Sequence, residues 1–251
     1  MATDKDHIAL MFSDIAPTYD KLNHILSLNV DKRWRKKAVK SIKKAIGEID
    51  NPLLLDVACG TADSTIALAQ INENVQVKGV DISDGMLKIG EEKVMKKGLQ
   101  DRISLSISYA ENIGFDDNTF DAALVAFGVR NFSDRKQGLT EILRVLKPNG
   151  TLVVLELSEP QNVIIRWFYN IYFKNILPFI GKRVSGNEEA YRYLQQSVEK
   201  FPMPKEFMAM LDDCGYKDLK HKALSCGLCR IYHPLLHQLV YIPHGRCISA
   251  A

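Results

Sequence analysis

The stretch LLLDVACGTADST, Leu53–Thr65, decides the fold. An apolar run carrying one acid, Asp56, gives way to a turn at Gly60, and STIALAQI (Ser64–Ile71) then reads as a helix. Downstream, VQVKGVDIS (Val75–Ser83) is the next strand candidate and MLKIGEEKVMKKG (Met86–Gly98) the helix after it. ISLSISYA, FDAALVAFGV and TLVVLELS continue the series, with RKQGLTEILRVLKPNG as a helix and its Pro/Gly stop before the last of them. Strands separated by helices of this length require right-handed crossovers and a parallel sheet. Near-continuous apolar runs such as TLVVLEL require that both faces of the sheet be covered. The fold class is α/β, doubly wound.

Upstream, residues 1–50 read as a helical segment, HIALMFSDIAPTYDKLNHILSL followed by the basic, amphipathic DKRWRKKAVKSIKKAI, expected to fold as a lid over a substrate mouth. Residues 51–232 form the main domain, with a lid insertion over about 160–200, where the pattern turns irregular and aromatic (IIRWFYNIYFKNILPFIGKRV). Closing strand candidates lie near Leu219–Leu224 and Leu228–Tyr232, and residues 233–251 are read as an atypical tail.

Hydrophobic residues at 46% and charged residues at 25% describe a globular chain. A net charge of +3 is too mild to argue for nucleic acid, though it suits loose contact with an anionic membrane surface. No stretch approaches the roughly 18 apolar residues of a membrane span, and MATDKDHIAL lacks the order of a signal peptide. Five scattered cysteines make a disulfide framework a poor reading. The expected location is the cytoplasm, with peripheral contact at the inner face of the cell membrane.

In an open α/β sheet, ligands sit beyond the carboxyl ends of the strands near the switch in strand order. Asp81 ends the second strand and suits bidentate hydrogen bonding to a ribose diol; as a plain alternative it caps the next helix, a role Ser83 or Asp84 could also fill. The turn at Gly60 lets backbone approach a ligand, and Asp56 either faces the ligand's amino group or holds the loop by accepting N–H bonds. Tyr109 and Ala110 bring an adenine-flanking edge, and Ala126 with Phe127 a floor. A dinucleotide needs a G-x-G-x-x-G turn, and this stretch has only Gly60, so the residues favour S-adenosylmethionine over NAD.

YDKLNHILSLNVDKRW (Tyr19–Trp34) and RVLKPNGTLVVLELS (Arg144–Ser158) resemble the two signatures of the ubiquinone/menaquinone biosynthesis C-methyltransferases, of demethylmenaquinone methyltransferase type. LDVACGTAD, GVDIS, DNTFDA, AFGVRNFSD and YRYLQQSVEKFP follow the same pattern, so the resemblance covers about residues 8 to 232. It departs at Asp31, where a His is often found, at Asn149 and Ala62, where glycines are usual, and in the unmatched HPLLHQLVYIPHGRCISAA. The resemblance implies a class I S-adenosylmethionine-dependent methyltransferase fold with a seven-stranded, mostly parallel sheet. By motif it implies cofactor contacts at Thr61, Asp81, Tyr109, Ala110 and Ala126, to which Met86 is added.

The implied reaction moves a methyl from S-adenosylmethionine to a ring carbon of a prenylated quinol, demethylmenaquinol to menaquinol. Benzoquinol methylation, methylation of oxygen or nitrogen in another acceptor, and a non-catalytic cofactor-binding subunit are the alternatives. A ring carbon becomes nucleophilic when a neighbouring hydroxyl loses its proton. Arg130 is expected to stabilise the resulting anion or orient a water, and Asn131 to fix that geometry; Arg stays protonated and is no direct base. His24, of the residue type that titrates near neutrality, and Tyr193 are further catalytic candidates, while plain lid packing is the alternative for Tyr19 and, more so, for His24. The apolar stretch 163–184 suits a bilayer interface, a channel for a polyprenyl tail, or simple packing on the sheet. The reading allows a homodimer and expects no metal: Cys226 and Cys229, placed in a strand, would point to opposite faces.

Overall fold

The computed structural model describes residues 4–27, 29–172 and 188–235. In chain order the helices are α1 (Asp4–Leu26), α2 (Val30–Ile46), α3 (Asp63–Ala69), α4 (Asp84–Lys96), α5 (Arg135–Val145), α6 (Val163–Ile171), α7 (Glu188–Glu199) and α8 (Pro204–Asp213). The strands are β1 (Leu53–Val57), β2 (Gln76–Asp81), β3 (Ile103–Ile107), β4 (Phe120–Ala126), β5 (Leu146–Leu157), β6 (Lys217–Leu224) and β7 (Cys229–Leu235). They form one sheet in the order β3-β2-β1-β4-β5-β7-β6, in which β7 runs antiparallel to both its neighbours. The strand order reverses at β1, which pairs in parallel with both β2 and β4.

The strands carry two apolar faces because alternate residues serve different cores. Ala122 and Leu124 of β4, with Val153 and Leu155 of β5, face one core; Ala123, Val125, Leu152 and Val154 face the other. α5 and α8 cover that second face through Leu139, Ile142, Phe207 and Leu211.

α2 covers the first face. Trp34, Ala38, Ile42 and Ile46, spaced for one side of a helix, join the core that contains Leu54 and Val77, while Lys32, Lys36, Lys40, Lys43 and Lys44 are exposed. The expected lid of residues 1–50 therefore splits by packing: α2 is a structural layer of the sheet whose first turns reach the rim, and α1 packs across it on α4. α1 rests on α4 through Met11, Ile15 and Ala16 against Met86. The contact is close enough to require a glycine: a Cβ on Gly85 would lie 2.9 Å from the Cα of Ser13.

The C-terminal boundary also differs. β7 continues to Leu235 and includes His233, because antiparallel pairing with β5 and β6 extends past Tyr232. His237 and the rest of the tail lie outside the described residues, as do residues 173–184 of the apolar stretch. No described helix is long and apolar enough to cross a membrane. Near the Pro/Gly stop, α5 ends at Val145 and β5 begins at once, the register shifting around Pro148–Gly150, with Asn149 at φ 69°.

If α2 is part of the core, Ile42→Ala should lower unfolding free energy by about 2–5 kcal/mol, whereas Lys36→Ala on the exposed side should stay within about 0.5 kcal/mol of the parent. Urea unfolding measures both; equal, small effects would place α2 outside the core.

Candidate active site

β1, β2 and β4 end at one edge of the sheet, and the backbone there is strained. Ala58 (φ 56°), Ala62 (φ 65°) and Phe127 (φ 61°) hold left-handed conformations, each costing roughly 1–2 kcal/mol in a residue with a Cβ. Such strain clusters at functional sites. Gly128 is fixed by sterics: a Cβ there would sit 2.5 Å from the Cβ of Ala58.

One carboxylate organises this edge. Asp81 Oδ2 accepts the N–H of Gly60 at 2.8 Å and Oδ1 accepts that of Ser83 at 2.9 Å, tying the β1 turn to the end of β2. Burial pushes its carboxyl above the ordinary range against the lowering effect of those donors. The helix cap left open by the sequence is Ser83, whose hydroxyl accepts the Met86 N–H.

Two cavities meet here, sharing Tyr19, Ala58, Gly60, Ala126 and Phe127 as wall residues. The smaller, about 80 Å³, is lined by Asp81, Met86, Tyr109, Ala110 and Asn131. The larger, about 430 Å³, is lined by His24, Asp31, Arg35, Thr61 and Arg130, with Phe168, Tyr169 and Tyr172 on the side of α6. The expected cofactor residues thus gather on one rim, Asp56 excepted.

Asp56 lines neither cavity. It is fully buried beneath the loop, where Oδ2 accepts the Thr65 hydroxyl at 2.6 Å and Oδ1 has no partner. The Gly60 N–H of the loop goes to Asp81 instead. Burial raises its carboxyl to about 7.

Arg130 sits in a single 3₁₀ turn, Val129–Asn131, directly after β4. It is paired: Nη1 contacts Glu156 Oε1 at 2.7 Å and also donates to the Phe127 carbonyl, and the Arg130 N–H donates to Glu156 Oε2. Nε is buried without a partner. Sequence reasoning missed Glu156, although an acid inside the apolar run TLVVLEL signals a buried partner. Asn131, expected to fix the Arg130 geometry, has its Oδ1 accepting the Tyr193 hydroxyl at 3.1 Å. Tyr193 in turn packs against Phe12 of α1, 6.1 Å between ring centres, and lies outside the wall of the larger cavity.

α1 is fastened to the rim by polar contacts. Thr61 donates to Asp20 at 2.6 Å, Lys93 of α4 contacts Asp20, Asp63 and Thr61, and the Ser13 and Ser83 hydroxyls lie 2.8 Å apart. Arg35 reaches Asp63 at 3.2 Å, and with Lys93 it holds the Asp63 carboxyl below its ordinary range despite burial. His24 Nδ1 lies 2.9 Å from Asp31 Oδ2.

Among the described residues, no group of three His, Cys, Asp or Glu side chains could hold a metal. Cys226 is exposed in a turn and Cys229 is buried at the start of β7, so the two share no strand.

The model of the ubiE/COQ5 methyltransferase family matches residues 1–235. The chain belongs to that family. A member from Geobacter sulfurreducens, named ubiquinone/menaquinone biosynthesis C-methyltransferase UbiE, is 44% identical over 90% of this chain and 87% of its own length. The demethylmenaquinone methyltransferase of Bacteroides fragilis is 39% identical over 90% of this chain and 91% of its own. Solved structures support the class I methyltransferase architecture: an Aquifex aeolicus S-adenosylmethionine-dependent methyltransferase aligns with TM-score 0.55 at 20% identity, over 79% of this chain and 89% of its own. The cyclase SpnF aligns with TM-score 0.69 at 17% identity, over 94% and 97%. SpnF is a [4+2]-cyclase, so the architecture does not choose a reaction for this family member; the site must.

An acid raised on folding favours its protonated form. Asp56 therefore contributes stability that is complete below about pH 4 and lost as pH rises through about 7. Asp56→Asn keeps an acceptor for Thr65 and does not ionise. Urea unfolding of the cofactor-free chain should show the variant gaining on the parent between about pH 4 and pH 8, by a few kcal/mol; parallel pH profiles would refute this.

Proposed function

We propose that this chain transfers the methyl of S-adenosylmethionine to a ring carbon of a prenylated quinol, converting demethylmenaquinol to menaquinol. The observation that carries the reading is the shared wall: a cavity of about 430 Å³ adjoins the Asp81 rim and combines an aromatic side with Arg130 and His24. The names of the Geobacter and Bacteroides relatives favour the same acceptor class.

The rim residues fit the donor. Asp81, its two oxygens each holding one N–H, keeps lone pairs for a ribose diol, with Met86, Tyr109, Ala110 and Ala126 around the base. The unpartnered Oδ1 of Asp56 lies under the turn that would carry the methionyl end. When bound, S-adenosylmethionine supplies a methyl already activated by a sulfonium. What remains for the protein is to align a ring carbon, exclude water and lower the cost of an oxyanion. Arg130, in the wall of the larger cavity, sets a guanidinium beside the developing oxyanion; Glu156 removes most of its net charge and fixes its plane. Asn131 with Tyr193 braces α7 against the rim rather than acting on the ring.

The acceptor's tail and its source in a bilayer account for α6. Val163 (74% exposed), Ile164, Trp167 (60%) and Phe168 project apolar surface outward, while Ile165, Phe168 and Tyr169 of the same helix line the larger cavity. This helix docks on the membrane surface and passes the tail inward.

With reduced demethylmenaquinol and S-adenosylmethionine, mass spectrometry should show S-adenosylhomocysteine and a methylated quinone in equal amounts. Asp81→Ala should weaken donor binding by about 10–100-fold in calorimetry. No S-adenosylhomocysteine from the parent chain would overturn the proposal. In flotation with anionic vesicles the parent should rise with the lipid and Ile164→Glu with Trp167→Glu should not; a parent that stays behind would remove the membrane role.

A further inference from the structure

Resting on this reading, we infer that His24 and Asp31 form the proton-accepting dyad of the site, His24 taking the proton of the acceptor's ring hydroxyl and Asp31 positioning the imidazole.

The geometry begins with the turn between α1 and α2. Asn29 adopts φ 60°, its N–H bonds the His24 carbonyl at 2.8 Å, and α2 starts at the next residue. This reversal brings Asp31, in the first turn of α2, back against His24 at the end of α1. Asp31 is 4% exposed. One oxygen accepts His24 Nδ1 at 2.9 Å, the other accepts the Ser27 hydroxyl at 2.6 Å, and the Arg35 guanidinium stands 3.6 Å away. A carboxylate fixed this way selects the tautomer with hydrogen on Nδ1 and stabilises the imidazolium once formed. Nε2 remains, with no hydrogen bond to it among the described residues, and His24, Asp31 and Ser27 all line the larger cavity.

The other titratable groups around that cavity are unsuited to accept the proton. Arg130 and Arg35 are permanently charged. The phenols of Tyr19, Tyr169 and Tyr172 are pushed up by burial, as is the Cys59 thiol, so all four keep their protons. Asp20 and Asp63 are both in contact with Lys93. His24 is left as the group that can cycle.

The step balances. The hydroxyl proton moves to Nε2, and its O–H electron pair stays on oxygen. The ring carbon forms its bond to the methyl as the carbon–sulfur bond breaks, its electron pair going to sulfur. The neutral dienone then loses the ring proton to water while His24 returns its proton to the oxygen, so one proton is released per methyl transferred.

The test is kcat against pH for the parent, His24→Ala, His24→Asn and Asp31→Asn, with donor affinity and thermal melting measured on each. His24→Asn can keep a donor to Asp31 yet offers no basic nitrogen, which separates positioning from proton transfer. Both His24 variants should lose about 10²–10⁴-fold in kcat with donor affinity within about twofold of the parent. The parent's acid limb should disappear from both. Imidazole added to His24→Ala should restore part of the rate. Asp31→Asn, lacking the charge that favours the imidazolium, should move the acid limb to lower pH. A His24→Asn enzyme with parental kcat, or an unrescued His24→Ala beside an unmoved limb in Asp31→Asn, would overturn the dyad alone. A parent chain that binds donor yet methylates no quinol would overturn the functional reading with it.

Discussion

The site depends on the carboxylate of Asp81. A parallel sheet leaves a crevice where its strand order reverses, but the crevice becomes a site only if the turn after β1 is held open beside the end of β2. Asp81 does this by taking the Gly60 and Ser83 N–H groups at once. The left-handed residues Ala58 and Ala62 flank the Gly60 turn that this tie holds. A second constraint acts from β5: the buried Arg130–Glu156 pair fixes the turn after β4. Such a pair adds little net stability, yet removing one partner costs about 3–5 kcal/mol.

Much of this was legible in the sequence, for identifiable reasons. Alternation of apolar runs and amphipathic helices specifies the parallel core because both faces of each strand must be covered, and the carboxyl-end rule then places Asp81, Tyr109 and Ala126 on one rim. The part that was not legible is pairing across long separations. Asp56 and Asp81 both flank the Gly60 turn in sequence order, and nothing local says which receives its N–H. Asn131 adjoins Arg130 along the chain, but a 3₁₀ turn sends its side chain to Tyr193, 62 residues away. Glu156 could have been suspected from its apolar surroundings, though not assigned its partner.

α2 illustrates the opposite case. Its lysines form a basic helix face, while the spacing of Trp34, Ala38, Ile42 and Ile46 describes a helix with one buried side. Charge dominates composition; burial follows periodicity.

The Trp34 indole N–H donates to the Ser225 hydroxyl at 2.9 Å, across 191 positions of chain. Ser225 and Leu228, in the turn before β7, wall the larger cavity, whereas the strand ends that carry the donor rim all precede residue 132. During synthesis one wall of the larger cavity is thus made after the rest of its lining. The wall these two residues supply is held to α2 by that indole bond, so a chain ending before Ser225 would leave this side of the larger cavity open.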